Sequence, residues 1–371
     1  MTWLNATYRV RAPAHEIEAI ALAIALEQSV EVPLAAVKDA YVREHIVARV
    51  QHITPLAEGE YEVSVALAEE TMGDDPAQTL NMLFGNTSMH AHVELIDADL
   101  PLGLVKRCGG PRFGIEGLRA KLGVAARPMT CAALKPQGLS TEALAKLCER
   151  FARGGVDVIK DDHGLADQRY SPFAERVRAC QGAIAAAHRS TGRSSFYAPN
   201  LIGPPRTLYE QAHIAREEGV GIVMVAPALV GLPVFEELVS EHLQGIAVLA
   251  HPAWAGAARV APAFLMGKLF RLYGADAVIY PHYMGRFAYS QAQCRQIAET
   301  ARRAWPGVRT AMPVPAGGMV VERVDELVRF YGRDVLLLIG GSLLLADDVE
   351  ARTRQFVQVV EDADAALEAG G

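Results

Sequence analysis

Short apolar segments alternate with amphipathic segments along the chain from about residue 130 onward. The apolar segments predict eight strands, at 130–134, 156–160, 195–201, 221–227, 246–252, 277–282, 309–315 and 335–342. Apolar positions at helical spacing predict helices between them, among them 141–153, 173–187, 209–218, 264–273, 290–303 and 322–331. Because strands that are apolar on both faces and alternate with helices are typical of parallel sheets, the fold class is α/β, with a C-terminal (β/α)8 TIM barrel.

The N-terminal part of the chain has a different pattern. Strands predicted at 5–10, 45–53, 60–67 and 92–98, with a helix at 15–26, indicate a smaller α+β (ferredoxin-like) domain with an antiparallel sheet. The glycine-rich segment 109–123 is interpreted as the joint, so the expected domains are 1–110 and 111–371. A tail rich in Ala, Glu and Asp after Val359 is expected to fray.

Composition narrows the class of protein and of partner. Of the 371 residues, 51% are hydrophobic and 21% charged, as in an ordinary globular protein with a sizeable core. A net charge of −7 without a basic patch argues against nucleic acid or an anionic membrane as the main partner. The scattered cysteines, without a CxxC pair, indicate reduced thiols. With no signal-like start and no apolar run of about 20 residues, we expect a cytoplasmic protein.

An unusual group of ionisable residues ends the second predicted barrel strand. Lys160, Asp161, Asp162 and His163 follow one another, and strand geometry places Lys160 and Asp162 on the same side. Burying ionisable groups at the end of a strand costs free energy unless they bind a ligand, an ion or one another. Three interpretations stay open on the residues alone: a salt-bridged surface turn, a Schiff base on Lys160 or Lys135, and a CO2-carbamylated Lys160 that binds Mg²⁺ together with Asp162.

The other strand ends carry further polar residues and glycine pairs. In a barrel the active site lies at the carboxyl ends of the strands, where Lys135, Asn200, His251 and His282 are expected. The loops after strands seven and eight contain Gly317-Gly318 and Gly340-Gly341. Backbone N–H groups in such loops commonly bind phosphate, although turns also need glycine for their own geometry. The pairs predict a phosphate site.

Two motifs resemble those of one family. The segment GGVDVIKDDH, residues 154–163, resembles the GG-x-D-x-x-K-D-D-E motif of RuBisCO and the RuBisCO-like proteins, and LKPQGLS, residues 134–140, resembles their K-P-K-x-G-L-S motif. Weaker matches follow in the same order as in the family: LEQS at 26–29, FGN at 84–86, His251, PAGG at 315–318 and IGGS at 339–342. The resemblance therefore covers nearly the whole chain.

The resemblance implies a role for each matched residue. Lys160 would be the carbamylated metal ligand, formed with CO2, that holds Mg²⁺ together with Asp162 and His163. Lys135 would be the acid–base group, and His251 would orient the substrate or shuttle a proton. The phosphate would be held at Gly317, Gly318, Gly340 and Gly341. In this family Glu27 and Asn86 would reach the neighbouring subunit's site, which implies a homodimer or an assembly of dimers.

Departures from the family pattern change the expected reaction. His163 replaces an acidic ligand, so Mn²⁺ could compete with Mg²⁺. The family arginine, histidine and serine that hold a second phosphate fall at Pro252, Ile279 and Ala316, which implies a sugar monophosphate as substrate. Gln137 replaces the second lysine of K-P-K, and Arg286 falls near the place of the lysine that orients CO2 in carboxylases, in surroundings unlike it. CO2 fixation is therefore not expected.

By resemblance, the chain is expected to be an isomerase of the RuBisCO-like type, which enolises a ketose phosphate. The predicted reaction is the 1,3 proton shift that converts 5-methylthioribulose 1-phosphate to 1-methylthioxylulose 5-phosphate. The alternatives are a decarboxylase or transcarboxylase/hydrolase acting on compounds such as 3-oxo-isoapionate 4-phosphate, and 2,3-diketo-5-methylthiopentyl-1-phosphate enolase. A catalytically silent scaffold, without an active site, is the non-enzymatic alternative.

Overall fold

The structure is a computed structural model that describes residues 2–369. The chain forms two compact units: the residues up to Gly109 together with Gly256–Leu265, and Gly110–Ala255 together with the residues from Met266 onward. The segment 256–265 belongs to the first unit because its backbone pairs with a strand there, Leu95 N donating to Arg259 O at 3.1 Å and Ala261 N to Leu95 O at 2.8 Å. The expected domain division, 1–110 and 111–371, stays a prediction.

The first unit is built on an antiparallel sheet. Its strands are β1 (Trp3–Arg11), β2 (Arg49–Ala57), β3 (Glu60–Ala68) and β4 (Val93–Ala98), in the order β2-β3-β1-β4. Alternate residues of β1 are buried, as period-2 geometry requires: Leu4, Ala6, Tyr8 and Val10. Helices Ile17–Glu27 and Pro76–Phe84 belong to the same unit. The predicted α+β domain is confirmed.

The second unit contains the predicted parallel strands. They are β5 (Met129–Ala133), β6 (Val158–Lys160), β7 (Phe196–Ala198), β8 (Asn200–Leu201), β9 (Ile222–Val225), β10 (Ala247–Ala250), β11 (Ala277–Pro281), β12 (Met312–Ala316) and β13 (Leu336–Ile339). They run β13-β5-β6-β7 and β8-β9-β10-β11-β12. The predicted strand 195–201 is divided at Pro199, which has no N–H to donate to a sheet. The barrel is confirmed, and its interior is filled by side chains such as Met129, Met224 and Met312.

Helices follow most of these strands, at Thr141–Gly154, Phe173–Thr191, Pro205–Glu217, Leu232–Glu237, Phe270–Leu272, Gln291–Arg302 and Val324–Tyr331. Ser140 begins the first of them, its hydroxyl accepting a hydrogen bond from Ala143 N at 3.3 Å. Gly155 ends it at φ 90°, a conformation that favours glycine, and the chain then turns into β6. Within residues 2–369, no helix is long and apolar enough to cross a membrane.

One local sequence interpretation was incomplete and another was wrong. The boundary between the two units lies within the segment 109–123, after Gly109, but the segment also contains the helix Gly114–Leu122, with Ile115 and Leu118 buried. The tail after Val359 was expected to fray, but the helix Val349–Ala369 continues through its described residues. Val360 and Ala363 are buried there, and Arg333 Nε lies 2.7 Å from Asp364 Oδ1. Packing and ion pairing hold this end of the chain against its own unit.

Candidate active site

Lys160 is the last residue of β6, and its side chain is buried. Only 4% of the residue is exposed, and its Nζ donates a hydrogen bond to Asp161 O at 2.7 Å. Burial lowers the pKa of Lys160 to about 8, and the positive charge of Lys135 acts in the same direction. The amine is therefore partly neutral near neutral pH, which is the form that reacts with an electrophile such as CO2.

Asp161 lies on the opposite side of the chain and is part of a fully buried network. Arg176 Nε donates to Asp161 Oδ2 at 3.1 Å, and Tyr197 Oη donates to Asp161 Oδ1 at 2.7 Å. Asn200 N donates to the same carboxylate at 3.1 Å. Because these groups come from β6, from the two strand segments after it and from the following helix, they fix the end of β6 that presents Lys160 and Asp162.

Replacing Arg176 with lysine is expected to lower the free energy of unfolding by about 1–3 kcal/mol. Arg176 is fully buried and also donates to Ser171 O at 2.6 Å and to Ala166 O at 2.7 Å, which one ammonium group cannot reproduce. Urea unfolding of the variant measures the loss. The exposed Arg206, paired with Glu210 at 3.0 Å, gives the control substitution Arg206→Lys. Equal stability of the two variants would show that the network does not support this strand end.

Asp162 stands beside Lys135 because of the strand register. Ala133 of β5 pairs with Lys160 of β6, so the residues that lie two positions further on meet above the sheet. Lys135 Nζ forms an ion pair with Asp162 Oδ2. Asp162 Oδ1 accepts hydrogen bonds from Gly164 N at 2.9 Å and from Gln137 Nε2 at 3.3 Å. The carboxylate is buried, and these donors fix its orientation.

Gln137 can lie against Asp162 only because residue 164 is glycine. A Cβ atom at Gly164 would stand 1.5 Å from Gln137 Nε2, so a side chain at residue 164 would displace the amide. The sequence marked Gln137 only as a departure from the K-P-K motif. In the structure it is a neutral donor on a candidate metal ligand, where a lysine would add a second positive charge beside Lys135.

His163 and His251 stack face to face, with ring centroids 4.7 Å apart and an interplanar angle of 8°. His163 Nδ1 lies 3.3 Å from Asp162 Oδ1, so in the neutral ring Nδ1 carries the proton and Nε2 keeps a lone pair. His251 Nδ1 accepts a hydrogen bond from Ala253 N at 3.1 Å, which assigns its proton to Nε2. Burial lowers the pKa of both rings, and the positive charge of Lys160 lowers both further.

Lys135 is half-buried, and it also lies close to one of the glycine loops. A Cβ atom at Gly340 would stand 3.8 Å from Lys135 Cε. Burial lowers the pKa of Lys135, and the charge of Arg286 lowers it further. Lys135 therefore lies between the Asp162 carboxylate and the loop that follows β13, and its amine loses its proton more readily than that of an ordinary lysine.

The two glycine loops are neighbours, as the phosphate interpretation requires. Ser342 Oγ donates to Met319 O at 3.0 Å and so links the loop after β13 to the loop after β12. Gly317 and Gly318 have φ angles of 92° and 99°, which favour glycine. Among residues 2–369, neither of their N–H groups has a hydrogen-bond acceptor, so both are available to a ligand.

Glu27 and Asn86 lie in the first unit and contact one another. Asn86 Nδ2 donates to Glu27 Oε1 at 2.9 Å and lies 3.2 Å from Glu31 Oε1. The buried Gln28 supports this pair, since its amide donates to Met82 O at 2.8 Å. The role of Glu27 and Asn86 in a partner subunit's site stays a prediction.

Two further residues of the second unit, Cys131 and His282, are buried and hold neutral side chains. Cys131 is fully buried in the barrel core, where burial raises the pKa of its thiol to about 12, so it is protonated at neutral pH. His282 is also buried, with Nδ1 3.2 Å from Tyr331 Oη. Burial lowers the pKa of His282 to about 4, so the ring is neutral at neutral pH.

The donor atoms fit a metal centre that needs a modified lysine. In the described part of the chain, no three His, Cys, Asp or Glu side chains are arranged to hold a metal ion. Asp162 and His163 Nε2 supply two donors, and a lysine ammonium cannot be the third. A carbamate on Lys160 would add oxygen donors beside Asp162. Such oxygen donors suit Mg²⁺ or Mn²⁺, and the imidazole nitrogen favours Mn²⁺ relative to Mg²⁺.

Comparisons with known proteins agree with this geometry. Residues 114–346 match the family of the ribulose bisphosphate carboxylase large chain, catalytic domain. Ribulose bisphosphate carboxylase-like protein 1 of Rhodopseudomonas palustris is 52% identical over 342 residues, which are 92% of this chain and 93% of that protein. The 5-methylthioribulose-1-phosphate isomerase of Rhodospirillum rubrum is 48% identical over 362 residues, 97% of this chain and 96% of that protein.

The fold agrees over the same extent. The crystal structure of a Rubisco-like protein from Rhodopseudomonas palustris superimposes with a TM-score of 0.91 at 45% identity, and the match covers 98% of each chain. These comparisons identify the same family that the motifs at the strand ends resemble. The chain belongs to the ribulose bisphosphate carboxylase large-chain family and, within it, to the RuBisCO-like proteins.

Proposed function

We propose that this protein is a metal-dependent isomerase that converts 5-methylthioribulose 1-phosphate to 1-methylthioxylulose 5-phosphate. The observation that carries the proposal is the convergence of Lys135, Lys160, Asp162 and His163 beside the two glycine loops. The 48% identity to a protein named for this reaction supports the choice of substrate. The reaction is a net 1,3 proton shift that moves the carbonyl by two carbons, and it needs no redox cofactor.

Lys135 is the proposed acid–base group. Its lowered pKa favours the neutral amine, which can remove a proton from the carbon next to the substrate's carbonyl. The ammonium that results returns a proton to the former carbonyl carbon, which moves the carbonyl by one position. A second proton removal and return, one carbon further along, completes the net 1,3 shift. Lys135 now forms an ion pair with Asp162, and a cation bound by that carboxylate would leave the amine free to act.

His251 is proposed to hold a substrate oxygen. Because its Nδ1 accepts from Ala253 N, the neutral ring offers the Nε2 proton to a hydroxyl or carbonyl oxygen. Its stacking on His163 keeps the ring plane fixed relative to the ligand set. The lowered pKa of His251 keeps the ring neutral, so it donates this hydrogen bond without adding a positive charge.

Carbamylated Lys160, Asp162 and His163 are the proposed metal ligands. A divalent cation there would stabilise the negative charge that develops on the carbonyl oxygen when the proton is removed. Arg176 and Tyr197 keep the end of β6 in place through Asp161, and Gln137 orients Asp162. Gly317, Gly318, Gly340 and Gly341 are proposed to bind the single phosphate.

Activation by CO2 is expected to increase with pH up to about 8 and to level off above it. Burial lowers the pKa of Lys160 to about 8, so the neutral fraction of the amine rises about tenfold per pH unit below that value and approaches one above it. Preincubation at fixed CO2 and varied pH, followed by assay at one pH, measures this. Activation that does not change with pH would contradict a carbamate on this amine.

The homodimer is proposed as the minimum active unit, with Glu27 and Asn86 acting in the partner's site. Asn86 is exposed and Glu27 is partly buried in the first unit, and the hydrogen bond between them fixes the Asn86 side chain. Mixing the inactive variants Glu27→Gln and Lys160→Ala tests the arrangement, since a mixed dimer contains one intact site. Recovery of turnover on mixing is expected, and no recovery would contradict a shared site.

Product analysis by NMR in D2O, with Mg²⁺ and bicarbonate present, tests the reaction itself. We expect 1-methylthioxylulose 5-phosphate from 5-methylthioribulose 1-phosphate. Deuterium exchange only with 2,3-diketo-5-methylthiopentyl 1-phosphate would favour an enolase, and CO2 release from 3-oxo-isoapionate 4-phosphate a decarboxylase. No exchange with any of the three would favour the silent scaffold, and a borohydride-trapped lysine adduct would favour Schiff-base chemistry.

A further inference from the structure

The loop after β11 is held against the first glycine loop by its backbone. His282 N donates to Ala316 O at 2.8 Å, and Arg286 N donates to Gly317 O at 3.0 Å. A Cβ atom at Gly285 would stand 2.1 Å from Gly317 O, so only glycine permits this approach. The two loops therefore form one rigid contact, and the position of residue 286 is fixed relative to Gly317 and Gly318.

The side chain of Arg286 begins directly over Gly318. A Cβ atom at Gly318 would lie 3.1 Å from Arg286 N and 3.4 Å from Arg286 Cγ. The guanidinium lies 5.5 Å from the centre of the Phe287 ring, and within residues 2–369 it pairs with no carboxylate. Its charge contributes to the lowered pKa of both Lys135 and His163, so it lies within electrostatic range of the site.

The carboxylates at this strand end are already paired with groups other than Arg286. Asp162 forms an ion pair with Lys135. Asp161 is occupied by the buried Arg176 and Tyr197 on the other side of the strand. An anion at the glycine loop would therefore be the partner of the Arg286 charge, and a guanidinium can hold two oxygens of a phosphate at once.

We propose that Arg286 is the cationic residue of the phosphate site and determines the specificity for a phosphorylated sugar. Its guanidinium and the N–H groups of Gly317 and Gly318 would bind the phosphate together. The inference rests on the proposed function, because it names the side chain that recognises that substrate's phosphate. The sequence showed Arg286 only as a residue in surroundings unlike those of the family; the fixed loop contact gives it a role.

Calorimetric titration of the wild-type protein with inorganic phosphate tests the proposal without turnover. We expect Arg286→Gln to weaken phosphate binding roughly ten- to hundredfold and Arg286→Lys to recover part of the loss. Arg329→Gln is the control, because it removes the same charge from a surface arginine that pairs with Asp325. In turnover, Arg286→Gln should raise KM by a similar factor and leave kcat within a few-fold.

Equal phosphate affinity in wild type and Arg286→Gln would overturn the role of Arg286 while leaving the glycine site in place. A loss of the same size in Arg329→Gln would also overturn it, since the effect would then be one of net charge. Absence of phosphate binding in the wild type would overturn it as well. The product analysis in D2O is independent of these titrations and decides separately whether the isomerase proposal stands.

Discussion

Replacing Lys160 with alanine is expected to abolish metal-dependent turnover, with a loss of about a thousandfold or more. Lys160 is the only group in the proposed ligand set that can supply oxygen donors through CO2, and Asp162 with His163 would leave the cation with too few protein ligands. Alanine cannot form a carbamate. The measurement is the rate of isomerisation at saturating Mg²⁺ and bicarbonate.

The fold should survive this substitution. The Lys160 amine is buried, and its lowered pKa shows that the charged form is disfavoured there, so its removal relieves an unfavourable charge. Circular dichroism and the melting temperature check this point. Lys146→Ala is the matched control, because Lys146 is an exposed lysine on the helix Thr141–Gly154. If Lys160→Ala kept most of its turnover, the carbamate would have no part in the reaction.

Replacing Lys135 with methionine is expected to lower kcat by about a hundred- to ten-thousandfold. Methionine keeps the bulk of the side chain but cannot accept or return a proton. The Gly340 loop and Asp162 remain in place, so phosphate binding and the Mg²⁺ requirement should change little. Solvent deuterium exchange into the substrate should fall with kcat, because the same proton transfer limits both.

The Lys135 and Lys160 variants are distinguishable by their dependence on metal. Lys160→Ala should not respond to bicarbonate, whereas Lys135→Met should still form the carbamate and bind the cation. Deuterium exchange at the wild-type rate in Lys135→Met would assign the base to another residue. The nearest alternative is His251, whose ring is neutral and stacked on His163.

The grouping of the site residues could be predicted from the sequence, because the carboxyl ends of all the parallel strands lie at the same face of a barrel. Lys135 follows β5, Lys160 ends the adjacent strand β6 and Asp162 follows it, and the Ala133–Lys160 register brings them together. His163 follows the same strand as Lys160, and His251 follows β10; the two rings stack. The residue types at these ends then limit the chemistry to proton transfer beside a metal or a Schiff base.

The supporting contacts could not be predicted, because they depend on packing between distant residues. Arg176 was not considered from sequence, although one signal was present: it stands among the apolar positions Phe173, Val177 and Cys180 of its helix. A buried arginine at such a position needs a buried carboxylate, but the sequence does not say that it is Asp161. Nor does it show that Gly164 makes room for Gln137.

The incomplete and the wrong local interpretation have a similar cause. Glycines in the segment 109–123 indicated the joint but not the helix Gly114–Leu122, which is stabilised by burial of Ile115 and Leu118 that composition does not reveal. The C-terminal helix is likewise held by Val360 and by the pairing of Arg333 with Asp364, not by helix propensity alone. Tertiary contacts therefore determine that both segments are helical.

The central claim is that CO2 modifies the amine of Lys160. The most direct test is carbon NMR of the protein incubated with ¹³C-labelled CO2 and Mg²⁺. A carbamate carbon signal is expected in the wild type and in Lys146→Ala, and none in Lys160→Ala. Absence of the signal from the wild type, or its persistence in Lys160→Ala, would contradict the account.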